Sequence, residues 1–188
     1  MAALVRGAGF PLRWFFASAL LVLCGAPVRA ASPPEPTGYR LGDYRTPTPA
    51  TLSGAVVITT QQAEALWREG AAFIDVMPRP PRPPNLPVDT LWRPPPRNSI
   101  PGAVWLANTG YGNLAAETEA YFRRGLDDAV RGRPERPIVF FCLRDCWMSW
   151  NAAKRALALG YRFVHWYPDG TDGWHEAGLS LEKVEPAP

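Results

Sequence analysis

The stretch that most limits what this chain can fold into is Pro137-Ile138-Val139-Phe140-Phe141, an uninterrupted apolar run followed at once by Cys142-Leu-Arg-Asp-Cys146-Trp147. Five such residues with no polar alternation suit a strand covered on both faces, which is the environment of a parallel sheet between helix layers. The run is followed by a loop and then by Ala152 to Leu157, a good helix former that Gly160 stops. A strand, a short loop and a helix of this kind form half of a β–α–β unit.

The rest of the chain repeats that alternation. Val56-Val57-Ile58 reads as a short strand, after which Thr59 or Thr60 can cap a helix over residues 61–68 with Ala63, Leu66 and Trp67 on one face and Gly70 as its stop. Residues 72–76 read as a strand, and residues 100–106 as a turn entering another. Residues 114–130 place Leu114, Thr118, Tyr121, Phe122, Leu126 and Val130 at helical spacing, and Phe163 to Trp166 forms the last clear strand. The expected fold is α/β: a single domain over residues 56–184, with a doubly wound, mostly parallel sheet and helices on both faces. Residues 78–97 interrupt it with prolines interleaved among Arg79, Arg82 and Arg93, a surface insertion of polyproline character. Arg79 or Arg97 could bring positive charge from it to a nearby site, although a solvated spacer is the plainer expectation.

The first thirty residues belong to no fold. Arg6 and Arg13 precede an uncharged apolar run from Trp14 to Ala26, and Val28-Arg29-Ala30 ends in small residues, the pattern of a secretory signal cut after Ala30. The run is short for a bilayer crossing, so no permanent membrane anchor is expected, and Leu23 before Cys24 disfavours a lipoprotein. Residues 31–55, rich in Pro, Gly, Ser and Thr, read as an extended arm. The whole chain has 20 Lys+Arg against 17 Asp+Glu, but the leader holds three of the arginines and no acid, so the exported part is formally neutral. The overall pI near 8.9 therefore belongs to the leader and gives no support to a nucleic-acid partner. Export also leaves two cysteines, Cys142 and Cys146, in an oxidising compartment where paired thiols serve as a disulfide, a redox couple or a soft-metal site.

In open α/β sheets, ligands bind where strands end in loops that lead into helices, and Cys142 stands at such a point. The helix that follows points its free N–H groups at the loop, which favours a thiolate. Cys142 is therefore the expected attacking sulfur and Cys146 the one that resolves its adduct. Arg144, Lys154 and Arg155 are candidate counter-charges, and Arg144 and Trp147 are the residues placed to border any group held at the pair. Two further readings stay open. The thiols could bind Cu(I), with His165 or His175 as a third ligand, although no metal ligand set is assigned. Alternatively a structural Cys142–Cys146 disulfide could support a partner-binding module displaying Trp147 and Trp150. Asp75 reads as structural, Asp169 and Asp172 as turn formers, and Asp145 or Ser149 as the cap of the helix after the loop.

Several landmarks occur in a telling order: Ile58-Thr59, Phe73-Ile74-Asp75-Val76, Ile100-Pro101-Gly102-Ala103, Val139-Phe140-Phe141-Cys142, Ala152-Ala153 with Gly160-Tyr161, and Asp169 to Trp174 with Ala177-Gly178-Leu179. Over about residues 56–181 the chain resembles rhodanese domains, which implies a persulfide-carrying role for Cys142 within a loop of backbone N–H groups. Four departures bear on that role. Trp147 stands where a basic residue is usual, the Ala-Ala pair comes one residue late, Ser99 replaces a common His, and Met77 replaces a common Arg. Together they argue against ordinary thiosulfate:cyanide sulfurtransfer.

The stretch Cys146-Trp147-Met148-Ser149-Trp150-Asn151-Ala152-Ala153-Lys154-Arg155 resembles a narrower group, the PQQ-dependent catabolism-associated CXXCW-motif proteins, with three residues rather than two between the cysteines. That resemblance implies a periplasmic redox or sulfur-relay role beside quinoprotein dehydrogenases of alcohol oxidation or their redox partners.

Overall fold

The computed structural model describes residues 32–188; the expected signal peptide, its cleavage site and Cys24 lie outside them. The five strands β1 (Val56–Val57), β2 (Ala72–Asp75), β4 (Val104–Trp105), β5 (Ile138–Phe141) and β6 (Val164–Trp166) form one sheet in the order β1-β6-β5-β2-β4. Every pairing in it is parallel. β5 lies at the centre, with Asp75 opposite Phe141 on one side and Phe140 opposite Trp166 on the other. A central strand has no solvent-facing side, which is why its sequence lacks polar alternation.

The helices α1 (Thr60–Arg68), α2 (Ala116–Val130), α3 (Trp147–Ala158) and α4 (Gly170–Glu176) divide between the two faces. Ile74, Ile138 and Phe140 pack with Phe122 and Leu126 of α2 and with Trp150 and Ala153 of α3. Phe73, Val139 and Phe141 pack on the other face with Ala63 of α1 and Trp174 of α4. The period-two alternation of the strands thus feeds two separate cores, and the expected doubly wound α/β architecture is the observed one. Among the described residues, no helix is long and apolar enough to cross a membrane.

Local chemistry accounts for the boundaries. Thr59, not Thr60, caps α1: its hydroxyl accepts from the Gln62 N–H while the Gln62 side chain accepts from the Thr59 N–H, closing a capping box. α2 lies hard against the loop after β4, because a Cβ at Gly125 would fall 2.4 Å from Leu106 Cδ2. Asp169 and Asp172, expected in a turn, instead flank and enter α4.

A second, two-stranded antiparallel sheet pairs β3 (Arg97–Ser99) with β7 (Glu182–Val184). It fastens the end of the proline-rich insertion to the C-terminal segment. The arm from residue 32 to 55 contains no helix or strand, yet it is tied to α3. The Asn151 side chain accepts from the Arg40 N–H and donates to the Arg40 carbonyl, both at 2.9 Å. Leu52 is buried in the core, and the Trp150 indole donates to the Thr51 carbonyl.

Candidate functional site

The site forms where the chain parts in two directions. β2 leads towards β4 at one side of the sheet and β5 leads towards β6 at the other, so the loops leaving these neighbouring strands diverge and open a crevice at their carboxyl ends. Val76 N–H still bonds the Phe141 carbonyl, and one step further Met77 and Cys142 face each other across the gap. Met77 Sδ lies 3.5 Å from Cys142 Sγ. Both cysteines are free thiols and both are closed off from solvent.

The loop from Cys142 to Trp147 is held from several directions. The Cys142 carbonyl accepts from the Thr171 N–H at 3.0 Å and approaches Arg97 Nη2 at 3.4 Å. Gly170, at φ +52°, allows this approach: a Cβ there would lie 2.5 Å from the Cys142 oxygen. The Arg144 N–H donates to Asp172 Oδ2, and the Trp147 N–H donates to the Tyr44 carbonyl of the arm. Asp145 takes a left-handed conformation, φ 53°, so the chain turns back into α3 with Cys146 as its N-cap. Neither Asp145 nor Ser149 caps the helix; the Ser149 hydroxyl bonds the Cys146 carbonyl instead.

That placement treats the two sulfurs differently. Burial pushes the Cys142 thiol well above its ordinary range, and the neighbouring Cys146 sulfur and the Asp75 carboxylate reinforce the rise. Cys146 is brought down to about 6, first by the hydrogen bond from Cys142 and then, against its own burial, by the N–H groups of Met148 and Leu143 and the charge of Arg45. The hydrogen bond given by the geometry runs from Cys142 Sγ to Met77 Sδ at 3.5 Å. The features that favour a thiolate, expected at Cys142, gather on Cys146.

Beneath the loop, the fully buried Asp75 carboxylate accepts from three donors: Arg97 Nε at 2.8 Å, the Ser99 hydroxyl at 2.6 Å and the Met77 N–H at 2.9 Å. Asp75 is thus a structural centre that fixes the backbone of Met77 and the position of Arg97. Of the two insertion arginines expected to bring charge to the site, Arg97 reaches it, whereas Arg79 bonds Asn108 through its backbone N–H and does not border the same cleft.

Outside the thiols lies a cleft of about 900 Å³. Met77, Pro78 and Pro96 border it on the insertion side, Arg45 on the arm side, and Arg144 and His175 across from them. The insertion therefore rims the cleft.

The remaining candidates are occupied elsewhere. The Arg144 guanidinium is bound by Glu176 at 2.6 and 2.7 Å and by Asp169 at 3.3 Å, so it edges the cleft while paired to α4. Arg155 is buried and binds the carbonyls of Thr109, Tyr111 and Gly112, and Lys154 lies over the Trp150 ring. Arg45, which sequence reasoning passed over as part of the arm, is the cation whose charge reaches Cys146. Trp147 and Trp150 are buried edge to face at 5.5 Å, so the exposed tryptophan docking pair does not exist. The Trp147 indole donates to Thr46 Oγ1, and Arg40 covers its ring. His165 lies within β6 opposite Val56 and Val139, and His175 lies on α4; among the described residues no three His, Cys, Asp or Glu side chains gather as a metal site.

The model of the rhodanese-like domain matches residues 59–177, which spans every element from α1 through α4. The chain belongs to the rhodanese-like domain family. No curated protein matches it. Among solved structures, this rhodanese-like chain is similar to the 30 kDa polysulfide-sulfur transferase homodimer from Wolinella succinogenes, at 18% identity over 69% of this chain and 80% of that one, TM-score 0.43. It is also similar to EanB solved with hercynine, at 21% identity over 76% of this chain and 34% of that one, TM-score 0.42. Within the rhodanese-like fold, Cys142 occupies the loop after the central strand and Cys146 the N-cap of the helix that follows.

Proposed function

We propose that this rhodanese-like protein is an exported thiol–disulfide carrier whose Cys142 and Cys146 alternate between dithiol and disulfide. The observation that carries the reading is the placement of two free, buried cysteines on one short loop, one at the N-cap of α3 and the other directly after the central strand. Cys146 takes the attacking role. Its thiolate attacks one sulfur of a substrate disulfide, forms a mixed disulfide and expels the other sulfur as a thiolate. Cys142 then loses its proton and attacks Cys146 Sγ, releasing the second substrate sulfur and closing the Cys142–Cys146 disulfide. The substrate disulfide is reduced by two electrons and the protein pair is oxidised by two; the reverse sequence oxidises a substrate dithiol.

Persulfide relay is less well supported, because two N–H groups of the loop are already used. Arg144 N–H serves the Asp172 carboxylate and Trp147 N–H the Tyr44 carbonyl, so neither points into an anion cradle. Placement beside periplasmic quinoprotein dehydrogenases or their redox partners is supported by the likeness of the Cys146 to Arg155 stretch to the PQQ-associated CXXCW-motif proteins. Export is supported by the leader pattern.

The test is equilibration of reduced protein with oxidised glutathione, read by intact mass. The expected product is lighter by two hydrogens. Cys142→Ser accumulates a glutathione adduct on Cys146, whereas Cys146→Ser gains none on Cys142. An adduct only on Cys142, or no oxidised product at all, overturns the assignment, and thiosulfate leaving an added sulfur on either cysteine favours the relay.

A further inference from the structure

We propose that the reduced site is a Cu(I) centre with three sulfur ligands, Cys142, Cys146 and Met77. The inference goes beyond the redox reading and does not depend on it. It starts from Met77, whose thioether lies 3.5 Å from Cys142 Sγ, with Cys146 four residues on at the N-cap of α3. With metal–sulfur bonds of about 2.3 Å, sulfurs around one trigonal ion stand roughly 4 Å apart, so the 3.5 Å between Met77 and Cys142 needs little adjustment.

The third sulfur is held in place rather than arriving by chance. Met77 is fixed through its backbone on both sides: its N–H donates to Asp75 Oδ1 at 2.9 Å, and its carbonyl accepts from the Trp105 indole at 2.6 Å. The two cysteines are fixed by β5 and by the first turn of α3. The ligand positions thus come from three rigid elements meeting at the switch between β2 and β5.

The donor set selects the ion. Two thiolates and a thioether are soft, and they suit Cu(I) over harder divalent ions. Zinc would want a fourth ligand in a tetrahedron, and neither histidine is gathered with the sulfurs. A buried site also favours a low total charge. Cu(I) with two thiolates carries one net negative charge, and Arg45 borders the same cleft as Met77. As Cu(I) enters, each cysteine still carrying a thiol proton releases it to solvent. Met77 borders the 900 Å³ cleft, so the ion has an entry route past its side chain.

Because a disulfide offers no thiolate, Cu(I) binding and oxidation of the pair exclude one another. The test titrates anaerobic, fully reduced protein against the Cu(I)–bicinchoninate complex. The wild type is expected to take one Cu(I) per chain with an all-sulfur shell by X-ray absorption. Met77→Leu is expected to lose affinity at least tenfold, the low end of what weaker, indirect changes at metal sites cause. The same variant should still form its disulfide with glutathione, which shows that the fold and thiols are intact. His175→Ala should bind as the wild type does. No Cu(I) uptake, equal affinity in Met77→Leu, or a nitrogen ligand in the absorption spectrum overturns the proposal. A protein that takes Cu(I) but never forms the disulfide defeats only the redox reading.

Discussion

Replacing Arg97 with Met isolates the buried charge on which the site rests. Asp75 has no exposed surface and the Arg97 side chain is 11% exposed, so the pair is screened weakly by water. Removing one member of a buried pair costs about 3–5 kcal/mol, because the other charge stays buried without its partner. Here the carboxylate keeps two donors, the Ser99 hydroxyl and the Met77 N–H, and the cleft lets some water approach. The expected loss therefore lies at the lower end, about 3 kcal/mol. With a urea slope of about 1–3 kcal/mol/M, the midpoint should fall by roughly 1–3 M, read by tryptophan fluorescence. Adding Asp75→Asn to Arg97→Met removes the orphaned charge while the amide oxygen accepts from the Met77 N–H and the amide nitrogen donates to the Ser99 hydroxyl oxygen. The double variant should therefore regain more than about 1 kcal/mol over the single one, a coupling expected of residues in contact. A loss below about 1 kcal/mol for Arg97→Met would refute the view that this pair anchors the loop. So would a double variant whose losses simply add.

Other outcomes follow from particular contacts. Asn151→Ala removes both bonds to the Arg40 backbone and a third to the Gly110 carbonyl, so it should destabilise by roughly 2–3 kcal/mol and open residues 32–46 to limited proteolysis. An arm that stays resistant in that variant contradicts the clamp. Tyr167 is buried and pushed up to about 12, chiefly by desolvation. The folded state therefore keeps a proton that the unfolded chain releases near 10, and stability should fall as pH rises from about 10 to 12. Ultraviolet tyrosine titration alongside thermal unfolding checks this, and ionisation of every tyrosine near 10 in the folded state contradicts it.

Much of the architecture is legible in the sequence, because strong local signals agree with the tertiary solution. The apolar run at Ile138–Phe141 is unbroken because β5 is covered on both faces, and the Thr59–Gln62 capping box marks the start of α1. The short elements are not legible. β3 and β7 are three residues each and mostly polar, and they are defined only by pairing with one another across the chain. α4 has seven residues, and its Asp and Gly content reads as a turn. At the site, the two cysteines are legible as a pair, but their division of roles depends on where the loop becomes helix. Cys146 becomes the N-cap because Asp145 adopts a left-handed turn, a conformation the sequence alone does not assign. Arg45 is read only as part of an extended arm and Met77 only as the replacement of a common Arg; the packed arm and the diverging strand ends bring them to the sulfurs.

The most direct test of the thiol-pair account is the state of the cysteines in protein quenched with an alkylating agent at the moment of cell lysis. Intact mass before and after reduction should show two populations: one with both cysteines alkylated, unchanged by reduction, and one with both joined, free of the alkyl group and heavier by two hydrogens after reduction. A population carrying an extra sulfur on either cysteine, or one in which Cys142 and Cys146 never join, would contradict it.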